Sequence, residues 1–340
     1  MSWKKIPTKE TENWNEKLKT TNAAFYQYPY YVSGEYDSFL SKAVFIEYRK
    51  EDTIMAYAAI IEIGLPPFKI GVIDNGPVIL DDTIDLYKAI QDLKKFAQQS
   101  SYMHLQLRPA FGSLMHTILK DDAAFEPKIY FPFHKKVEFD WNIYNKPEEE
   151  LLAGFKMQCR RKIVLAGRVP YKFFKVEDEK SLTDIRNLFD EVTDTKGYGF
   201  LPFKIYESIY RKGKKHNLCD FYAVYLNDKL VNVALIMKDA QSFYHYTSAL
   251  TVHGYKANES PPAKLHFFIM QDCFYNEHKD YYDISFGGSD NLIRFKELFN
   301  PVEIERPSYY TFIVKKRLLN FTTKFLAGNA TALRRLLKKV

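Results

Sequence analysis

Arg294, Phe295 and Lys296 stand side by side in GGSDNLIRFKELFNP, residues 287–301, directly after an apolar run, YYDISF, that reads as a strand. A strand opening onto two glycines and then two cations around an aromatic ring can be an ordinary loop and surface helix. It can also aim Lys296 at a reacting group, where a positioned donor stabilises developing negative charge. Gly287 and Gly288 would let the backbone leave the strand sharply where a side chain would crowd a cleft. Asp290 is placed to cap the helix that follows. Successive helical residues project about 100° apart, so one of Phe295 and Lys296 packs while the other reaches the cleft edge. Replacing Lys296 by Met should then suppress chemistry with little effect on stability.

Other cations fit anion recognition. Arg160 and Arg161, in MQCRRKIVLAGR, could grip a diphosphate or carboxylate bidentately, although only one of two adjacent helical residues can face a cleft. A solvated helix end is the alternative reading of this pair. Arg108 closes the run YMHLQLRP at a strand end and is a candidate clamp. No carboxylate stands out as a general base: Asp283 and Asp290 flank the Lys296 stretch, and Asp290 reads better as a cap. His245 reads as structural.

Composition bounds the partners. The chain has 340 residues, 46% apolar and 27% charged, with 25 Tyr and 27 Phe, enough for a large core and aromatic-lined clefts. One large or two medium domains are expected. Cys159, Cys219 and Cys273 lie far apart, which argues against a disulfide framework and a zinc site and fits a reducing cytoplasm. No apolar run is long enough for a transmembrane helix, and MSWKKIPTKETENW lacks a signal-peptide core. The net charge is +7, and residues 315–340 carry many Lys and Arg and no acid. That excess suits nucleic acid, a phosphorylated substrate or a membrane surface, or it is a solvated helix face.

The elements that must position these residues mix strands and helices. AVFIEYR and TIMAYAAIIEI read as a strand pair across Lys50–Asp52. TIDLYKAIQDLKKFAQQ repeats apolar residues at helical spacing, and KKVEFDW is a strand. NKPEEELLAGFKMQCRRKIVLAGR reads as one long helix, with Asn145 as cap and Pro147 in its first turn. A strand, YKFFKV, two helices, SLTDIRNLFDEVTD and LPFKIYESIYRKGK, and a three-strand meander, CDFYAVYLN, KLVNVALIM and SFYHYTSAL, follow. PPAKLHFFIMQDCFYNEH is a helix opened by proline. Residues 1–146 show a degraded version of this plan and 147–314 a complete one.

A helix pair, a three-strand meander, a helix and a strand resemble the GNAT acyltransferase plan, an α/β fold with mixed twisted sheets and flanking helices. The resemblance implies that strands at 241–249 and 281–286 splay around an acyl group, with the helix at 261–278 between them. TVHGYKANESPPAK does not match the coenzyme A pyrophosphate motif, and Gly254 reads as a turn. FYQYPYY, NGPV at 75–78, MQCRRKIVLAGR and YDISFGGSDNLIRFKELF, in that order over most of the chain, resemble the Fem-like acyl- and aminoacyltransferases, which use two tandem GNAT-like domains. The resemblance implies a degenerate domain at 1–146, completed by a C-terminal helix at 315–340, and a second domain at 147–314. It implies transfer of an amino acid or acyl group from aminoacyl-tRNA or an acyl thioester such as acyl-CoA to the amine of a peptidoglycan or surface-polysaccharide precursor, nucleotide- or lipid-linked. No tightly bound cofactor or metal is implied. Carried over, Phe295 and Lys296 lie by the acyl ester, Lys296 on the oxyanion or the leaving oxygen. Tyr246 matches the cleft tyrosine and Tyr206 the tyrosine of a phosphate-binding pair. Three positions depart from the family: Asn75 where Arg precedes Gly-Pro, Arg108 in place of Asp before Pro109, and Pro202 in place of the arginine paired with Tyr206.

Two other classes fit parts of the sequence: a basic module binding tRNA or a membrane surface through residues 315–340, and a catalytically inactive GNAT-like structural partner. The acyltransferase at the inner face of the membrane is the preferred reading.

Overall fold

The computed structural model describes residues 1–36, 41–64, 68–110, 113–127, 139–196, 200–251 and 261–316. The chain divides into two units, Met1–Trp14 with Tyr26–Lys136 and Pro307–Val340, and Asn15–Phe25 with Val137–Arg306. Elements are numbered along the whole chain; α2 (Asn13–Leu18) crosses the division. The expected boundaries at 146 and 314 differ from it, because the strand just before each belongs to the other sheet: Phe139–Tyr144 joins the second sheet and Tyr310–Ile313 the first. Gly254 and nearly all of the expected helix at 315–340 lie outside the described residues.

In the first unit, β1 (Ser2–Lys5), β2 (Ser41–Lys50), β3 (Thr53–Ile63) and β4 (Ile70–Asp74) are antiparallel neighbours, and β5 (Val78–Ile79) pairs with β3. β4 lies parallel to β6 (His104–Arg108), and β15 (Tyr310–Ile313) sits between β6 and β7 (Phe125–Glu126). The helices are α1 (Thr8–Thr11), α3 (Pro29–Glu35), α4 (Leu86–Gln99) and α5 (Leu114–Asp121). The Asp85 side chain caps α4 by accepting from Lys88 N at 2.9 Å. Ala89, Ile90, Leu93, Phe96 and Ala97 of α4 are buried in the core of this unit.

α4 joins the parallel strands β4 and β6, which stay paired to their last rung, Asp74 opposite Arg108. There Arg108 donates from Nε and Nη2 to the two carboxylate oxygens of Asp74, at 2.6 and 2.5 Å. The Tyr309 hydroxyl donates to the same carboxylate at 3.2 Å, and its ring lies 4.8 Å from the guanidinium. A bidentate ion pair thus closes the end of this strand pair.

In the second unit, β8 (Phe139–Tyr144) lies between β14 (Val302–Glu305) and β13 (Tyr281–Asp283), followed by β12 (Ser242–Leu250), β11 (Lys229–Lys238), β10 (Cys219–Leu226) and β9 (Lys172–Lys175). Among the described residues, β12 and β13 form this sheet's parallel pair. The hairpin from β10 to β11 turns through Asn227 and Asp228, both left-handed at φ 50° and 59°, as two-residue hairpin turns require. α8 (Glu179–Lys196) and α9 (Phe203–Lys214) precede the meander, and α10 (Pro262–Gln271) links β12 to β13.

The long helix expected from Pro147 is two helices, α6 (Glu148–Gly154) and α7 (Met157–Ala166). Phe155 and Lys156 adopt extended backbone with ψ 150° and 146°. Phe155 is buried against Phe267 and Phe299, and Lys156 N donates to Leu298 O at 3.0 Å. Burying one aromatic ring and satisfying a backbone donor outside the helix replace one turn of helix.

Removing Arg108 strands a buried carboxylate. Arg108→Ala is expected to destabilise the first unit by about 3–5 kcal/mol. Denaturant unfolding checks this, and a parent-like midpoint would mean that the Tyr309 hydroxyl and the Asn75 amide, which donates to Asp74 at 3.2 Å, suffice for the carboxylate.

Candidate active site

β13 is three residues long and pairs with β12 through three rungs, Ser242 with Tyr281, Phe243 with Tyr282 and Tyr244 with Asp283. Beyond Tyr244 and Asp283 the two strands separate, while β12 runs on to Leu250. The expected splayed pair is therefore present in this unit, with its second arm shorter than 281–286. A bulge lies in β12 just past the fork: Ile236 faces His245 and Leu235 faces Thr247, leaving Tyr246 extra.

Asp283, the last paired residue, is buried and accepts from Ser285 N at 2.6 Å. Burial pushes its carboxyl up, Asp140 adds to the rise, and Arg306 and Lys296 oppose it. Ser285 is half-buried with φ 57°, a left-handed backbone rarely adopted by serine. Gly287 and Gly288 follow at φ 111° and 116°, which glycine takes without strain.

Lys296 ends α11 (Asp290–Lys296) and is 3% exposed. Its ammonium donates to Ser285 Oγ at 2.9 Å, Ser285 O at 3.2 Å and Gly287 O at 3.3 Å. Burial pushes its pKa down to about 8, opposed by Asp283. The stretch 285–288 is therefore folded around one buried amine. His266 of α10 is buried beside it, with Nδ1 2.7 Å from the Tyr282 hydroxyl, and burial plus the charge on Lys296 pushes it down to about 3. His245 is buried with its ring 4.9 Å from that of His266 and is held neutral in the same way.

Phe295 turns away from Lys296. Its half-buried ring lies 5.8 Å from His266, 5.5 Å from Phe299 and 5.9 Å from Lys162 Nζ. It lines a groove of about 500 Å³ with Lys156, Met157, Lys162, Arg294 and Leu298, but Lys296 does not line it. The groove and the buried amine thus lie on different sides of α11. Arg161 is exposed, and Arg160 donates from Nη1 to Ala153 O at 2.6 Å. Tyr206, on α9, stacks edge-on with Tyr246 at 6.2 Å and accepts from Leu201 N at 3.0 Å. Arg108 belongs to the other unit, where Asp74 occupies its guanidinium, so gripping an anion would require breaking a buried bidentate pair.

Asp283 and Ser285 were not singled out from sequence as working groups. The run DISFGG carried a signal for them, a carboxylate and a hydroxyl at the point where a strand gives way to glycines. Among the described residues, no group of three His, Cys, Asp or Glu side chains could hold a metal ion, and no helix is long and apolar enough to cross a membrane.

Two mixed sheets, the second with a forked parallel pair crossed over by a helix, define a tandem GNAT-like fold. The similarity extends to FemX over 95% of this chain and 100% of that one, with a TM-score of 0.77 and 15% identity. The C-terminal domain of a putative lysylphosphatidylglycerol synthetase from Agrobacterium fabrum superposes with a TM-score of 0.60 at 11% identity, covering 94% of this chain and 97% of that one. A tandem GNAT protein from the clavulanic acid biosynthesis pathway gives 0.51 at 8% identity, covering 91% and 97%. No family model and no curated protein matches the sequence.

The burial of Lys296 changes the expectation that Lys296→Met is neutral for stability. Methionine leaves the carbonyls of Ser285 and Gly287 without their donor, and both residues are half-buried. The variant is expected to lose about 1–2 kcal/mol, read as a lower unfolding midpoint.

Proposed function

We propose that the chain is an N-acyltransferase or aminoacyltransferase that moves an acyl group onto an amine of a cell-envelope precursor, nucleotide- or lipid-linked. The observation that carries this reading is the fork of β12 and β13, with Lys296, Asp283 and Ser285 gathered where the strands part. Similarity to FemX, to a synthetase domain and to a tandem GNAT protein supports acyl transfer in general.

The acyl carbonyl lies in the fork, where the Lys296 side chain supplies the charge that favours the tetrahedral oxyanion. The donor is aminoacyl-tRNA or an acyl thioester such as acyl-CoA, a substrate rather than a bound cofactor. Lys156, Lys162 and Arg294 around the groove favour a donor that carries phosphate. Tyr206 and Tyr246 line the acceptor side, and Arg160 or Arg161 assists in holding an anionic group. The first unit is a degenerate acyltransferase domain, its strand pair shut by Arg108 and Asp74. Catalysis then belongs to the second unit. The cytoplasmic face of the membrane is where such a precursor would be met, and the basic segment 315–340 suits tRNA or an anionic membrane surface.

The test is transfer by the purified chain from acyl-CoA or aminoacyl-tRNA to amine-bearing peptidoglycan or polysaccharide precursors. Lys296→Met, assayed well below its melting temperature, is expected to lower turnover by about two to three orders of magnitude. Absence of transfer from either donor to any of these amines would sink the reading.

A further inference from the structure

Lys296 differs from a lysine that neutralises an acid. Its three hydrogen bonds run to two carbonyls and one hydroxyl, none to a carboxylate. The hydroxyl is that of Ser285, 2.9 Å from Nζ, within the range at which a nucleophile and its base exchange a proton. Ser285 is half-buried and Lys296 is 3% exposed, so the serine is the more accessible partner of the pair. Two residues on, nothing lies within 4 Å of where a side chain on Gly287 would begin, so the loop is open at that glycine.

The backbone fixes this hydroxyl. Ser285 holds a left-handed φ of 57°, a conformation that clusters at working sites when the surroundings enforce it. Here Asp283 enforces it by accepting the Ser285 N–H, and Lys296 by binding its carbonyl.

We propose that Ser285 is a nucleophile with Lys296 as its general base, so that transfer from an activated acyl ester or thioester passes through an acyl ester on Ser285. The proposal rests on the acyl-transfer reading above. As Ser285 Oγ bonds to the acyl carbon, its proton moves to the neutral amine of Lys296. The resulting ammonium lies beside the oxyanion, which gives Lys296 the electrostatic role as well. The acyl C–O or C–S bond then breaks, and the departing oxygen or sulfur takes the proton from Lys296. In the second half the acceptor amine attacks the serine ester, yields a proton to Lys296, and Ser285 Oγ leaves and recovers it. No oxidant, metal or further reactant enters.

The free amine is available near neutral pH because burial lowers the Lys296 pKa to about 8. The groups facing it are Asp283 on β13, His245 on β12 and His266 on α10, with Asp140 and Arg306 acting on Asp283. Both histidines are pushed down and stay uncharged, while burial pushes Asp283 up to about 8, so Asp283 and Lys296 both exchange protons in this range and Lys296 is the one bonded to the serine hydroxyl.

The test uses the full chain with p-nitrophenyl acetate, followed by peptide mass spectrometry and by release of nitrophenolate. The expected result is an acetyl group on the peptide carrying Ser285, formed faster as pH rises through about 8, since only the unprotonated amine accepts the proton. Ser285→Ala should abolish the adduct, and Lys296→Met should slow it by about a hundredfold or more. Ser289→Ala, in the same loop, should leave it unchanged. Ser285→Ala removes one oxygen from a half-buried position, so it keeps the test valid if Lys296→Met folds poorly. No adduct, an adduct on another residue, or a rate indifferent to pH across that range overturns the proposal. Undiminished donor-to-amine transfer by Ser285→Ala overturns the serine ester and leaves acyl transfer standing; absence of transfer by every variant, the parent included, removes both.

Discussion

The buried amine of Lys296 partners the chain just past the fork of the second unit. Where β13 stops pairing, the carbonyls of Ser285 and Gly287 turn away from the sheet and would lack partners in a half-buried setting. An unsatisfied carbonyl in such a place is costly, and one ammonium with three donors answers both carbonyls and the serine hydroxyl. The arrangement is mutual. Asp283 favours the charge on Lys296, and Lys296 with Arg306 favours the charge on Asp283 against burial. A lysine here thus stabilises an irregular loop that an apolar residue would leave unsupported.

The two units use one plan with opposite outcomes. In each, a helix joins two parallel strands, α4 between β4 and β6 and α10 between β12 and β13. The first pair keeps five rungs and ends in a bidentate ion pair between Asp74 and Arg108, with Tyr309 against it. The second keeps three and ends in Asp283, which accepts from the Ser285 amide and feels the charges of Asp140, Arg306 and Lys296 without a bidentate partner across the rung. An arginine and a carboxylate at facing strand ends tie the strands together. A carboxylate facing a tyrosine, Tyr244, offers no such tie, and β12 and β13 part there.

Much of this order was legible in the sequence because periodicity reports burial. The meander from β10 to β12, the turn at Asn227 and Asp228, and α8, α9 and α10 follow from alternation, turn residues and helical spacing. The break at Phe155 was harder to read, since Glu148–Ala166 keeps helix-forming residues on both sides, and what ends α6 is a pocket between Phe267 and Phe299, distant in sequence. The placement of β15 in the first sheet depends on β6 and β7, also distant in sequence. At the site, the glycines and the Phe-Lys pair marked the region, and the opposed directions of Phe295 and Lys296 followed from helix geometry. Burial of Lys296 did not, because a lysine is ordinarily exposed and two of its three acceptors are backbone atoms that no residue type announces. The same holds for Ser285, whose left-handed backbone is set by Asp283 and Lys296 rather than by its own preference.

A fork needs one fastened end, and the opposite end of the β12–β13 pair is fastened by charge. Lys238, at the end of β11, is 1% exposed and pairs with Asp220 and with Glu277, the latter at 2.5 Å. Lys175 of β9 reaches Asp272 at 2.6 Å and Glu277 at 3.3 Å, and Asp272 accepts from the Tyr222 hydroxyl. Asp272 and Glu277 lie at the π-helical turn that follows α10, so the network ties that turn to three strands. Backbone bonds extend the hold: Asp280 N donates to Gln241 O at 2.8 Å, and Lys279 Nζ to Asp239 O at 2.8 Å. Buried ion pairs add little net stability over apolar packing, but a mispaired register would leave their charges uncompensated. The network therefore fixes where β13 starts against β12. With the start fixed, a three-residue strand ends at Asp283, and the position of the fork follows from the far side of the sheet.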